Sequence, residues 1–255
     1  MADRTQAYDD LAPHYDQIFE DWEASIERQS TVLAAILQRE GGDRRPIRVL
    51  DCACGIGTQS LGLAMNGFEV TGCDISIGAV QRARSEASKR GLSVPFSVAN
   101  MLQLSAIPES SFDSVICIDN SLPHLQTDGD LLQAAQQAYG KLRPGGSFVA
   151  SIRDYDRLVV ERPTSQEPSF YSDNGSRRIV FQIWDWLDER RYRFHLYITR
   201  NTESAWQTFH FTSTYRAVLR GELQRIWEDA GFSNIRWLSP SDSGFYQPIF
   251  IAHRP

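Results

Sequence analysis

Val49-Leu50-Asp51-Cys52-Ala53-Cys54-Gly55-Ile56-Gly57-Thr58 is the stretch that decides the fold. Arg48-Val49-Leu50 is a short apolar strand that ends in an acid, and Gly55-x-Gly57 is a tight turn. Ser60, Leu61, Leu63 and Ala64 then begin an amphipathic helix. A glycine turn between a strand end and a helix start lets a ligand approach bare backbone and meet free N–H groups. In open α/β sheets, ligands bind at the carboxyl ends of the strands. The turn is not the dinucleotide fingerprint, because Ser60 stands where that fingerprint needs its third glycine.

Asp74 sharpens the reading. It closes a second strand, Phe68 to Asp74, one βαβ unit downstream. An acid there can accept both hydroxyls of a ribose, each bond contributing roughly 1.5–3 kcal/mol. Asp51, beside the turn, would repel a pyrophosphate but suits a ligand with cationic groups. The whole set, strand–Asp–glycine turn–helix–strand–Asp, resembles the class I S-adenosylmethionine (SAM) methyltransferases.

Outward from this unit the chain keeps alternating. Helix 58–66 is followed by strand 68–74 and by helix 76–90, which Ser76 caps and Gly91 ends. Strands 94–99, 111–118 and 147–152 follow, with a helix at 128–140 and the turn Leu142-Arg143-Pro144-Gly145-Gly146 before the last of them. This predicts an α/β fold with a doubly wound, mostly parallel, seven-stranded sheet, Rossmann-like in the manner of class I methyltransferases. Helix 216–229 and strands 233–238 and 248–253 complete it as a hairpin edge. Residues 1–46 read as a helical cap, either plain cover for the sheet or a lid whose Tyr8 or Tyr15 closes over the cofactor. Residues 47–154 and 214–255 form the core. Residues 155–213 read as an antiparallel β insertion that lines the substrate pocket or makes a subunit contact. Its strands are 178–185, 191–199 and 205–213, with alternating sets Ile179, Phe181, Ile183; Tyr192, Phe194, Leu196, Ile198; and Trp206, Phe209, Phe211.

Composition narrows the function classes. The 255 residues carry a formal net charge of -6 and no lysine- or arginine-rich run, so no nucleic-acid partner is expected. No apolar run approaches the ~20 residues that span a bilayer, and the first thirty residues are acidic and polar rather than a signal peptide. Cys52, Cys54, Cys73 and Cys117 sit in or beside expected strands with no zinc-like second ligand pair. Buried reduced thiols, no metal and a cytoplasmic location follow as expectations, with a small-molecule substrate and possible assembly into a homo-oligomer.

A narrower resemblance rests on several blocks. They are V-L-D-C-A-C-G-I-G-T, the G-C-D-I-S around Asp74, A-N-M-L at 99–102, V-I-C-I-D-N-S-L-P-H-L at 115–125, L-R-P-G-G, R-D-Y-D at 153–156 and the terminal F-Y-Q-P-I-F. In these the chain is similar to the glycine and glycine/sarcosine N-methyltransferases. The resemblance implies SAM as methyl donor and S-adenosylhomocysteine as product. It implies that Asp74 binds the ribose, Asn100 and Met101 the adenine, and Ala53 and Gly55 the methionine part. Asp51, Gly57, Ile75 and Ile118 complete the expected cofactor set. Asn120 would orient the acceptor, Arg153 would hold its carboxylate, and Tyr215 would face the pocket. His124 is a base if the acceptor is a hydroxyl, and otherwise a packing residue. Residues 157–212 show no close match. An O- or C-methyltransferase of a small metabolite, and a SAM-binding module without catalysis, remain as alternatives. An NAD-dependent oxidoreductase is disfavoured by the missing third glycine.

Overall fold

The computed structural model describes residues 2–42, 45–173, 176–202 and 205–255. Helices α1 (Ala2–Leu11) and α2 (Trp22–Gly41), joined by a 3-10 segment at Ala12–Ile18, precede the sheet. Strands and helices then alternate: β1 (Arg48–Asp51), α3 (Thr58–Met65), β2 (Glu69–Asp74), α4 (Ile77–Lys89), β3 (Phe96–Val98), β4 (Phe112–Cys117), α5 (Asp128–Lys141) and β5 (Leu142–Ser151). A short α6 (Tyr155–Glu161) leads into a separate antiparallel meander of β6 (Ser165–Asp173), β7 (Ser176–Trp186), β8 (Arg191–Asn201) and β9 (Trp206–Arg216). The chain closes with α7 (Arg220–Asp229), β10 (Ser233–Leu238), α8 (Pro240–Ser243) and β11 (Ile249–His253). No helix among the described residues is long and apolar enough to cross a membrane.

The main sheet has seven strands in the order β10-β11-β5-β4-β1-β2-β3, and only β11 runs against its neighbours. Every residue of β4 is buried, as a strand covered by helices on both faces requires. The chain leaves β1 in one direction for β2 and β3, and in the other for β4 and β5. The carboxyl ends of β1 and β4 therefore flank the switch point at which such sheets bind ligands.

Local chemistry fixes the cover over that crevice. The Asp21 carboxylate accepts from the Ala24 N–H at 3.0 Å and starts α2. The Ser76 hydroxyl does the same for Ala79 at 3.0 Å and starts α4. Asp9 of α1 accepts from the Ser76 hydroxyl at 2.5 Å and from the Gly78 N–H at 2.9 Å. A carboxylate at a helix N-terminus is favoured by the helix dipole, so Asp9 docks α1 across the sheet's carboxyl edge.

Four expectations are corrected. Leu142 already pairs with Phe112, and the register slips before Ser114 meets Ser147. Arg143 to Gly146 thus bulge out of β5 rather than precede it. β6 was not expected: it carries Pro168, and its register with β7 slips between Gln166 and Ser169, as an edge strand permits. In β7 the alternation is one residue out of phase. Val180 and Trp184 are buried, whereas Ile179, Phe181 and Ile183 lie on the outer face. Finally, β9 continues through Arg216 and α7 begins at Arg220, so Tyr215 lies on a strand opposite Tyr192.

Candidate active site

Two cavities meet at the carboxyl edge of the sheet. The first, of about 250 Å³, follows the glycine turn. The backbone there bends because Gly55 sits at φ +52°, and a Cβ on it would meet nothing within 4 Å. The open side of the turn is therefore bare backbone facing the cavity. Asp74 stands at the end of β2, where its carboxylate accepts from the Gly55 and Ser76 N–H groups, each at 2.9 Å. Burial pushes its pKa up, against the pull of those backbone donors. Ala53, Gly55, Ile75, Asn100, Met101 and Ile118 line the same cavity. Asn100 turns its Oδ1 to the Leu102 N–H at 2.9 Å, which orients the amide.

A nucleoside with a cationic sulfonium fits this lining. It offers a carboxylate at the end of β2, an amide and a methionine after β3, and unblocked peptide edges after β1. Asp51 and Gly57 do not line the cavity. Asp51 is 1 % exposed behind the turn, where it accepts from the Ser60 hydroxyl at 2.7 Å and the Ala53 N–H at 3.4 Å. Burial raises its pKa to about 7. Gly57, at φ +97°, precedes α3 and shapes its start. Both shape the turn rather than face the cavity, so their expected place in the cofactor set is corrected to a supporting one.

The second cavity, of about 970 Å³, lies beyond the ends of β4 and β5 and is roofed by the meander. Asn120 and Arg153 line it, together with Gln182, Trp184, Phe194 and Tyr215. The guanidinium of Arg153 donates to the Tyr192 hydroxyl at 2.9 Å and to Gln182 Oε1 at 3.2 Å, and lies 4.6 Å from the Trp184 ring centroid. These partners are all neutral, and none of the ion pairs among the described residues involves Arg153. Asn120 accepts at Oδ1 from the Arg153 N–H and from the Tyr155 hydroxyl, both at 3.1 Å. Its Nδ2 is buried without a hydrogen-bond partner. A buried amide donor left unmatched is uncommon and calls for an explanation.

Tyr8 joins the two cavities. Its hydroxyl is 2.7 Å from His124 Nε2 and 3.2 Å from the Tyr215 hydroxyl, and His124 Nδ1 is 3.4 Å from Ser213 Oγ. Burial raises the pKa values of Tyr8, Tyr15 and Tyr215, so all three are phenols at neutral pH. Both His124 nitrogens are engaged, which makes the ring a holder of Tyr8.

The expected acceptor residues Asn120, Arg153, His124 and Tyr215 thus meet around one junction. Sequence reading missed Tyr155, Gln182, Trp184 and Tyr192, which hold or face Arg153. Only Tyr155 carried a signal, inside R-D-Y-D. All four cysteines are free and buried.

Residues 49–146 match the family described as "Methyltransferase domain". The chain is 31% identical over 247 residues to a glycine/sarcosine N-methyltransferase of Parasynechococcus marenigrum, covering 96% of this chain and 82% of that one. It is 37% identical over 123 residues to the glycine N-methyltransferase of Rattus norvegicus, covering 44% of this chain and 42% of that one. Among solved structures, a SAM-bound amino pentose methyltransferase from Micromonospora echinaspora superposes with a TM-score of 0.75 at 18% identity, covering 91% of this chain and 92% of that one. That likeness is one of fold. The chain belongs to the SAM-dependent methyltransferases, as a relative of the glycine/sarcosine N-methyltransferases.

Proposed function

We propose that the enzyme methylates the amine of a small amino acid such as glycine or sarcosine. Bound SAM supplies a methyl on a sulfonium, already activated, so that the amine's lone pair forms the new N–C bond as the C–S bond breaks and its electron pair stays on sulfur. Asp74, Asn100, Met101 and the Gly55 turn are the residues to hold it. A neutral amine needs no strong base, and alignment alone can supply an effective molarity of about 10⁵–10⁸ M.

One observation carries the amino-acid reading. A buried guanidinium with only neutral partners and a buried amide N–H with none line the same cavity. An acceptor carboxylate would match both, through charge-assisted bonds to Arg153 and a bond from Asn120 Nδ2. The glycine/sarcosine and glycine N-methyltransferases named above support the same reading. A second reading, an amine on a larger acceptor without a carboxylate, is favoured by a cavity of about 970 Å³, far roomier than glycine needs.

Release of S-adenosylhomocysteine, followed with glycine, sarcosine, amino sugars and phenols as acceptors, separates these readings. Turnover confined to amino acids is the expected result. Turnover of amino sugars or phenols alone refutes it.

A further inference from the structure

Among the described residues, three side chains line both cavities: Tyr8, Tyr15 and Asp119. The nucleophilic atom of the acceptor has to lie where the cavities meet, because the methyl passes from one to the other. Two of these three are neutral phenols. Asp119 is the acidic one. One carboxylate oxygen accepts from Gln59 Nε2 at 2.8 Å and the other from the Tyr246 hydroxyl. Neither partner is a cation, and each oxygen keeps a lone pair free.

The backbone is held in an unusual form to put this side chain there. Asp119 has φ +57° and Asn120 φ +63°. The Asp119 N–H donates to Ser151 Oγ at 2.9 Å and the Asn120 N–H to the Ser151 carbonyl at 3.0 Å, so β5 pins both. The left-handed region is uncommon outside glycine, Asp and Asn adopt it more readily than most, and such residues gather at functional sites. Asp119 and Arg153 also face one space. The hydroxyls of Tyr215 and Tyr246 feel both, the acid raising their pKa values and the guanidinium lowering them. Two opposite charges, each tied to neutral groups and not to each other, complement a zwitterion.

We propose that Asp119 binds the amine of the methyl acceptor and, together with Arg153, selects acceptors that carry an ammonium and a carboxylate. The carboxylate half rests on the amino-acid reading above, and the amine half does not. The ammonium gives up one proton to solvent before transfer; Asp119 then accepts one N–H of the neutral amine and so directs its lone pair toward the cofactor cavity. Methylation leaves that nitrogen positively charged, so the contact strengthens as the bond forms.

Calorimetry on the enzyme saturated with S-adenosylhomocysteine tests this by comparing glycine with acetate, which has the carboxylate but no nitrogen. Wild type is expected to bind glycine about ten- to a hundredfold more tightly, as a hydrogen bond to a charged group implies. Asp119→Asn and Asp119→Gly both tolerate the left-handed backbone. In either, the ratio should fall to about one, while affinity for acetate and for S-adenosylhomocysteine changes less than about twofold. Equal binding of glycine and acetate by wild type overturns the proposal without recourse to any variant. A preference retained in the variants overturns it as well. A loss of S-adenosylhomocysteine affinity in step with that of glycine also overturns it, since Asp119 would then serve the amino end of the cofactor. If neither glycine nor acetate binds but glucosamine does, and Asp119→Asn abolishes that binding, the carboxylate reading fails and the amine assignment stands. Glucosamine binding indifferent to Asp119→Asn removes both.

Discussion

Arg153→Met is expected to stabilise the fold while removing most acceptor turnover. The guanidinium is enclosed by Trp184, Phe194 and Tyr215, with ring centroids at 4.6, 5.5 and 5.7 Å, and donates to Tyr192 and Gln182. Methionine forfeits the charged contacts but keeps apolar contact with the rings. It leaves no orphan behind. The Tyr192 hydroxyl keeps Tyr155 at 3.1 Å, and Gln182 Oε1 keeps Trp184 Nε1 at 3.1 Å. Against the loss stands relief from burying a cation without a counter-ion, a penalty of several kcal/mol. Replacing buried charges by well-packed apolar groups is often neutral or stabilising by about 1–4 kcal/mol. A gain of 1–2 kcal/mol would raise Tm by roughly 2–8 °C in a chain of this size. Activity moves the other way. Breaking a buried charge pair with the acceptor carboxylate costs about 2–5 kcal/mol, a loss of roughly 30- to 5,000-fold in kcat/KM. Thermal scans and S-adenosylhomocysteine release with glycine or sarcosine measure the two sides. Wild-type acceptor kinetics in the variant would refute the carboxylate clamp. A loss of several kcal/mol in stability would show the guanidinium to be a structural tie instead.

Two further outcomes follow from the cofactor half. Gly55→Ala meets no atom within 4 Å but forces alanine to φ +52°, a cost of about 1–2 kcal/mol; its methyl projects over the turn, so SAM affinity should fall about tenfold or more, and calorimetry showing unchanged affinity would refute the bare-backbone reading. Asp51 has its pKa raised to about 7, so between the unfolded carboxyl value and neutrality the folded enzyme holds more protons than the unfolded chain, and this group's contribution to stability declines as pH rises through that window. A cationic ligand favours the ionised acid, so SAM should bind with proton release near pH 6–7 and with affinity rising toward neutrality, and S-adenosylhomocysteine should show less of both; calorimetry in buffers of different ionisation heat that found no such difference would contradict this.

The cofactor half was legible because its residues are local. Asp51, Gly55 and Asp74 lie within one βαβ unit, where strand end, turn and helix start are set by short-range chemistry. The acceptor half draws on parts far apart in the chain: Asp119 and Asn120 after β4, Arg153 after β5, Trp184 on β7, Tyr192 on β8, Tyr215 on β9. Arg153 was reached from its place at a strand end beside Asn120 and His124 and from the chemistry of a guanidinium, whereas the role of Asn120 came through a family resemblance. Asp119 went unread because one acid in a polar cluster gives no sign of its backbone angle. β6 was missed because Pro168 and few apolar residues hide a strand that only its pairing with β7 reveals.

The phase error in β7 shows why the acceptor is the hardest property to read. A strand places alternate residues on opposite faces, and Ile179, Phe181, Ile183 form as good an apolar set as Val180, Gln182, Trp184. Hydrophobicity alone favours the wrong one. The correct face is chosen by pairing, which sets Trp184 opposite Phe194 and Tyr192 opposite Tyr215. A slip of one residue would withdraw Trp184 and Gln182 from Arg153 and present Ile183 in their place. The guanidinium, needing a ring face and neutral acceptors around it, therefore favours the register that builds its pocket. On this view the cation proposed to hold the acceptor also favours one alignment of the sheet above it.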